Sequence, residues 1–479
     1  YKRQAVDTRP LPHRAGVLTL ARARACSVVA AMVSCVAVLV CSSEAPALAV
    51  TPPIIDAAAL VRSAPVAPPE ATEQRTLCAT PIAAEAYSSA TGAQAMMRLP
   101  DAWRFSRGTG QRVAVIDTGV SPSRRLPRLT AGGDYVSTGD GLSDCDAHGT
   151  LVAGIIAGAP SSTDAFTGVA PDASIISIRQ SSTAFGAKRS RGSDDPNVGS
   201  GYGSVRTLAN AVVRAVDLGA TVINISEVAC AAVGSKLNDR SLGAAVRYAH
   251  TRDVVVVVAA GNLTRDSACS SQNPIPSGDD PTGWRSVSMI ASPAWFSPYV
   301  LTVGSVDAGT GAPSDFSING PWVSVAAPGT DVVSIDGSGR VVYAQQDQSG
   351  PIPLRGTSFS TAYVSGLVAL VRARYPRLTA AAVIDRVTRT AHAPGNGRDT
   401  RIGFGVVDPV AALTAELDDT PRADAVAHPI AAPPSPPPPD HTARNVALLG
   451  TGAAAVLIIV VLALALPHRR TRTLSPDEY

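Results

Sequence analysis

From Gln111 onward, short apolar runs alternate with segments whose apolar positions recur at helical spacing. That alternation predicts an α/β fold, a mainly parallel β-sheet flanked by helices. The apolar runs place strands at 113–116, 174–178, 221–225, 254–259, 300–303 and 322–325. Helical spacing appears at 149–157, 205–218, 241–251, 358–375 and 379–390. Residues 50–100 are different: rich in Ala and Pro and weakly periodic, they read as an extended segment lying on another surface. Between Gln180 and Gly203 a Ser/Gly-rich insertion carries Lys188-Arg189-Ser190-Arg191, read as a solvated surface loop in preference to a cleavage site. Periodicity fades after Leu413, and Pro433-Pro434-Ser435-Pro436-Pro437-Pro438-Pro439 makes a stiff spacer.

The two ends add apolar runs of another kind. Arg22 and Arg24 precede an apolar stretch at 25–40, and Ala47-Leu48-Ala49 fits a small-residue cleavage site. This is the pattern of a secretory leader. Near the other end, 446–466 is an uncharged stretch of 21 residues. At a rise of about 1.5 Å per residue it is long enough to cross a bilayer as one helix. His468-Arg469-Arg470-Thr471-Arg472 follows, and basic residues stay on the cytoplasmic side. Charge after the apolar stretch argues against a lipid-anchor signal. The expected organisation is a leader at 1–49, an extension at 50–100, a catalytic domain at 101–413, a proline-rich linker at 414–445, a membrane helix at 446–466 and an inner tail at 467–479. The bulk of the chain then lies outside a cell membrane, held by a single pass.

Net charge is +3, from 41 basic and 38 acidic residues, so no nucleic-acid partner is expected. Of seven cysteines, Cys26, Cys35 and Cys41 fall in the leader. Cys78, Cys145, Cys230 and Cys269 remain, an even number suited to two disulfides in an oxidising compartment, with three pairings open. No Cys-x-x-Cys occurs, which speaks against zinc or thioredoxin-type chemistry.

Three segments carry candidate chemistry. Gly356-Thr357-Ser358-Phe359-Ser360-Thr361-Ala362 puts a serine where a loop becomes a helix. A serine hydroxyl needs a base and an oxyanion stabiliser before it can act as a nucleophile. Asp146-Ala147-His148-Gly149-Thr150 supplies an imidazole opening a helix of small residues. His13, His428, His441 and His468 lie outside the expected domain, and His250 and His392 close predicted helices, which leaves His148 as general base. Val113-Ala114-Val115-Ile116-Asp117-Thr118-Gly119 ends a strand in a carboxylate that would orient the imidazole. An Asp-Thr-Gly also occurs in aspartic proteases, but those need two such aspartates and a β-rich fold. In Val258-Ala259-Ala260-Gly261-Asn262 the small residues leave room for substrate, and the Asn262 amide would join the Ser358 backbone N–H in holding an oxyanion.

In the order Asp117, His148, Asn262, Ser358, these segments resemble the subtilisin-like serine proteases over about residues 101–413. Together with the leader, extension, proline linker, C-terminal anchor and basic tail, and with Arg179-Gln180-Ser181-Ser182 and Asn224-Ile225-Ser226, the chain resembles a mycosin. Mycosins are the membrane-anchored proteases of type VII secretion systems. The resemblance implies a serine endopeptidase, a substrate-binding edge at Ser226, an extension that wraps the domain, and disulfides Cys78–Cys145 and Cys230–Cys269. Its implied partners are a type VII secretion membrane complex and secreted protein substrates. The alternative role is a structural component that stabilises that complex, catalysis being dispensable. No cofactor and no metal site are expected; calcium rests on the resemblance alone, since no Asp-rich loop supports it. Two positions depart from the subtilisin pattern. Glu227 and Val228 stand where a glycine-rich substrate edge is usual, which should reshape the pocket beside the scissile bond. Ala362 replaces a usual proline, which a helix tolerates.

Overall fold

In the computed structural model the described residues are 50–85, 87–90, 92–189, 201–235, 237–265, 267–278, 280–347, 350–417 and 442–465. They fall into two units, 50–417 and the helix Thr442–Ala465. The apolar runs of the first unit assemble into a central sheet whose strands we number in chain order. They are β1 (Arg112–Asp117), β2 (Leu129–Asp134), β3 (Ser174–Arg179), β4 (Val222–Ile225), β5 (Val255–Ala259), β6 (Leu301–Val306) and β7 (Val325–Pro328). Their spatial order is β7-β6-β5-β4-β1-β3-β2, and every pairing is parallel.

Both faces are covered over the middle of this sheet, so strands such as β1 and β5 are near-continuous apolar runs and not alternating ones. Val113, Val115, Val222, Val255, Val257 and Val303 face one core layer, packed by the helices His148–Ala157 and Thr357–Arg374. Ala114, Ile116, Ile223, Ile225, Val256 and Val258 face the other, under the helices Val205–Asp217 and Arg240–Thr251. From β1 the chain crosses to β2 and β3 on one side, then returns to β4 on the other side. The carboxyl end of β1 therefore opens at a topological switch point, the position where ligand chemistry gathers in open parallel sheets.

Segment 50–100 is held to this unit by backbone pairing. Thr72–Gln74 pairs with Phe185–Ala187, and Pro81–Ala83 pairs with Val341–Asp347, both antiparallel. Disulfides Cys78–Cys145 and Cys230–Cys269 are both formed.

Several expectations need correction. The strand expected at 322–325 starts three residues later, because Trp322 and Val323 are buried in the approach to it and do not pair. β2 was not expected: Leu129–Asp134 is an edge strand with exposed Thr and Ala positions, and so has no apolar run. The antiparallel pair Ala229–Ala232 with Met289–Ser292 was not expected either: the first is all small residues and the second has only Met289 and Ile290 as larger apolar ones. The basic cluster of the insertion falls partly outside the described residues; ahead of it the three residues Phe185–Ala187 form a strand within the expected loop.

In the second unit, Thr442–Ala465 is helical over 24 residues. Among the described residues no helix is long and apolar enough to cross a membrane. The expected span at 446–466 ends one residue beyond those residues, and the leader and inner tail lie outside them.

Candidate active site

Asp117 ends β1 with no exposed surface. The chain then turns through Gly119, whose φ of 104° and near-contact with the Ser143 carbonyl leave no space for a side chain. Gly149, in the first turn of the following helix, presses onto the same turn: a Cβ there would sit 2.1 Å from the Gly119 carbonyl oxygen. This close approach sets His148, the first residue of helix His148–Ala157, against the end of β1. The His148 Nδ1 lies 2.6 Å from Asp117 Oδ1, which also accepts the Thr118 backbone N–H at 2.8 Å.

A second carboxylate clamps the arrangement. Asp144 accepts the Thr118 hydroxyl at 2.8 Å, and its other oxygen accepts the Thr150 backbone N–H at 2.8 Å and hydroxyl at 2.6 Å. Two residues on, Asp146 accepts the Thr183 backbone N–H at 2.7 Å and binds the Ser182 hydroxyl at 2.5 Å. No motif signalled either role.

Ser358 is the second residue of helix Thr357–Arg374 and is 6% exposed. Its helix begins after Gly356, at φ 150°, and brings the Ser358 backbone N–H and the positive dipole end to the cleft. Asn262 follows the end of β5. Its Oδ1 accepts the Thr357 backbone N–H at 2.9 Å and the Thr357 hydroxyl at 3.1 Å. With the oxygen so held, Nδ2 is the end left to donate.

These groups share one cleft of about 220 Å³. His148, Ser226, Glu227, Gly261, Asn262 and Ser358 line it, and Val228 and the Cys230–Cys269 disulfide close one side. Ala259 and Ala260, expected beside substrate, are fully buried beneath it. Asn224 joins the serine helix to this edge: it accepts the Ser365 hydroxyl at 2.9 Å and donates to the Ser226 hydroxyl at 3.0 Å.

Charge balance follows from burial and proximity. Burial alone would push the Asp117 carboxyl up, but the His148 charge and hydrogen bond, with help from Thr118 and Ser226, hold it below the usual carboxylate range. Burial would pull His148 down, yet Asp117, Glu227 and Asp144 outweigh it and hold the imidazole at about 9. Burial, then repulsion from Asp117, pushes Glu227 up to about 7. The same two causes, opposed by the threonine bonds, put Asp144 at about 6. Asp117, His148 and Glu227 present atoms within 4.8 Å of one another, and among the described residues no other such group could hold a metal ion.

The fold and the cleft define a subtilisin-type serine endopeptidase. Residues 108–405 match the subtilase family. Mycosin-1 of Mycolicibacterium smegmatis is 50% identical over 388 residues, covering 79% of this chain and 85% of the relative. The crystal structure of MycP1 from the ESX-1 type VII secretion system superposes with a TM-score of 0.73 at 50% identity, covering 78% of this chain and 98% of that one. A chain of the intact ESX-5 inner membrane complex is 42% identical, with a TM-score of 0.72, covering 87% of this chain and all of that one. The chain belongs to the subtilase family and, within it, to the mycosins.

Proposed function

We propose that this protein is a membrane-anchored serine endopeptidase that processes secreted proteins at a type VII secretion complex. The observation that carries the reading is the 2.6 Å Asp117–His148 contact with Ser358 in the same cleft on a helix N-terminus. Ser358 Oγ attacks the peptide carbonyl carbon as its proton passes to His148 Nε2. Asp117 keeps the other ring nitrogen oriented and stabilises the imidazolium. The carbonyl oxygen, now negative, takes hydrogen bonds from Asn262 Nδ2 and the Ser358 backbone N–H. Collapse breaks the C–N bond, and His148 returns the proton to the leaving amine. Water, deprotonated by the same imidazole, then attacks the acyl-enzyme and frees Ser358.

The substrate chain lies along Ser226 on one side and the Gly261 backbone on the other, above Ala259 and Ala260. Residues 50–100 belong to the working protein, because their strands complete two sheets and Cys78 is bonded into the loop ahead of His148. An uncharged stretch at 446–466 with basic residues after it supports a single membrane helix, with the catalytic unit outside and the tail in the cytoplasm. A tether of this kind raises the local concentration of substrates emerging nearby.

The test is labelling of the full-length chain with a fluorophosphonate, using Ser358→Ala as control. Labelling of the unaltered chain alone supports the assignment, and its absence in both removes it. A second reading, in which the chain mainly stabilises the secretion complex, is favoured by the relative built into an inner membrane complex. Full restoration of secretion by Ser358→Ala in a deletion strain would support that reading. Restored assembly with unprocessed substrate would support proteolysis.

A further inference from the structure

The cleft contains one carboxylate that the mechanism does not use. Glu227 lies two residues past β4, and its carboxylate is within 4.8 Å of the acceptor and donor atoms of Asp117 and His148. The Ser181 hydroxyl donates to its Oε1 at 3.1 Å, which holds the side chain in place without neutralising it. Asp117, Asp144 and Asp146 are further acids in the same field. Among the described residues no lysine or arginine forms an ion pair with Glu227. The histidine side of the cleft thus holds more negative than positive charge.

Geometry tells which part of a substrate meets this charge. The attacked carbonyl must sit about 3 Å from Ser358 Oγ, its oxygen toward Asn262. The side chain of the residue contributing that carbonyl then enters the space beside Gly261, which Val228 and the Cys230–Cys269 disulfide close off. Val228 packs there against Gly261, whose added Cβ would lie 3.4 Å from it. In an extended chain the preceding side chain points the opposite way. On the cleft edge Val228 lies beside Gly261, whereas the Glu227 carboxylate reaches the His148 and Asp117 side.

We propose that Glu227 is a specificity-determining residue that selects a lysine or arginine at the position immediately preceding the scissile residue. This inference rests on the serine endopeptidase reading. An ammonium or guanidinium arriving there replaces water around a carboxylate already desolvated and oriented, where a charge-assisted hydrogen bond is strong. A neutral residue of equal length gains only the packing of its stem.

The test uses two peptidyl diphenyl phosphonates that present alanine at the scissile position. One carries lysine before it and the other norleucine. Second-order inactivation rates are measured on the full-length chain in detergent, on Glu227→Gln and on Glu227→Lys, with an alkyl fluorophosphonate run in parallel. The expected result is at least a tenfold preference for lysine that weakens with salt, falls to within about twofold in Glu227→Gln, and reverses in Glu227→Lys. Fluorophosphonate labelling with equal rates for the two peptides, or a lysine preference that survives Glu227→Gln, would overturn the assignment of specificity. No labelling by any of the three probes would overturn the protease reading and this one with it.

Discussion

Asn262 is turned by Thr357: one side-chain oxygen accepts both the backbone N–H and the hydroxyl of the residue just before the nucleophile. The hydroxyl of Thr357 therefore acts on the oxyanion only through Asn262. Asn262→Ala should lower kcat by about 10²–10³, the magnitude known for such a donor in a related subtilisin. Thr357→Val keeps the N–H bond and loses the hydroxyl bond, so kcat should fall less, by roughly tenfold on the scale of one hydrogen bond. KM should stay near its original value in both, because the interaction belongs to the transition state. A Thr357→Val effect that persists in an Asn262→Ala background would show that the hydroxyl acts by another route.

His148 must be neutral to accept the Ser358 proton, and its surroundings hold it at about 9. The rate constant kcat/KM for an uncharged peptide should accordingly climb through neutral pH and level off above about 9. Glu227→Gln removes one of the charges that favour the imidazolium, so the midpoint should move downward. The linked stability has the opposite sense. Protonated His148 paired with Asp117 stabilises the fold fully below the ordinary histidine value of 6.5, and this contribution drains away between 6.5 and about 9. A pH–rate midpoint near 6.5 that Glu227→Gln does not move would contradict this account.

Asp117, His148, Asn262 and Ser358 were legible because each ends or opens an element whose apolar pattern is strong, so position followed from pattern. The helix bearing Ser358 was read to within a residue at each end, and Ala362 sits fully buried within it without a break. What pattern could not reveal were contacts between distant segments. Asp144 reads as one more loop aspartate until Thr118 and Thr150 are brought to it. Glu227 was visible as a departure from a glycine-rich edge, but its approach to His148 depends on how β4 and β1 stand side by side. Edge strand β2 was missed because Leu129–Asp134 exposes much of its surface and so carries no apolar run.

Cys145 is bonded to Cys78 across 67 residues and lies three positions before His148. Closing a loop of that length removes about 4 kcal/mol of chain entropy from the unfolded state. The double variant Cys78→Ser/Cys145→Ser should melt about 5 °C lower in scanning calorimetry, given the entropy of unfolding of a unit this size. Limited trypsin digestion should then cut first at Arg75, whose side chain is half exposed and which, without Cys78–Cys145, is tied locally by the short pairing of Thr72–Gln74. An unchanged melting temperature would mean that strand pairing alone holds the extension.

Ser365 is wholly buried, and its hydroxyl donates to Asn224 Oδ1 across the space between the serine helix and β4. Asn224 passes the connection on through its amide to Ser226, at the substrate edge. Ser365→Ala leaves the asparagine oxygen buried without a partner, a defect worth about 1–3 kcal/mol. The expected melting-point loss is about 1–4 °C. Adding Asn224→Leu removes the orphaned acceptor while keeping the bulk, so the double variant should fall well short of the sum of the two single losses. Strict additivity would mean that the two side chains are independent, and that the serine helix and substrate edge are aligned by apolar packing instead.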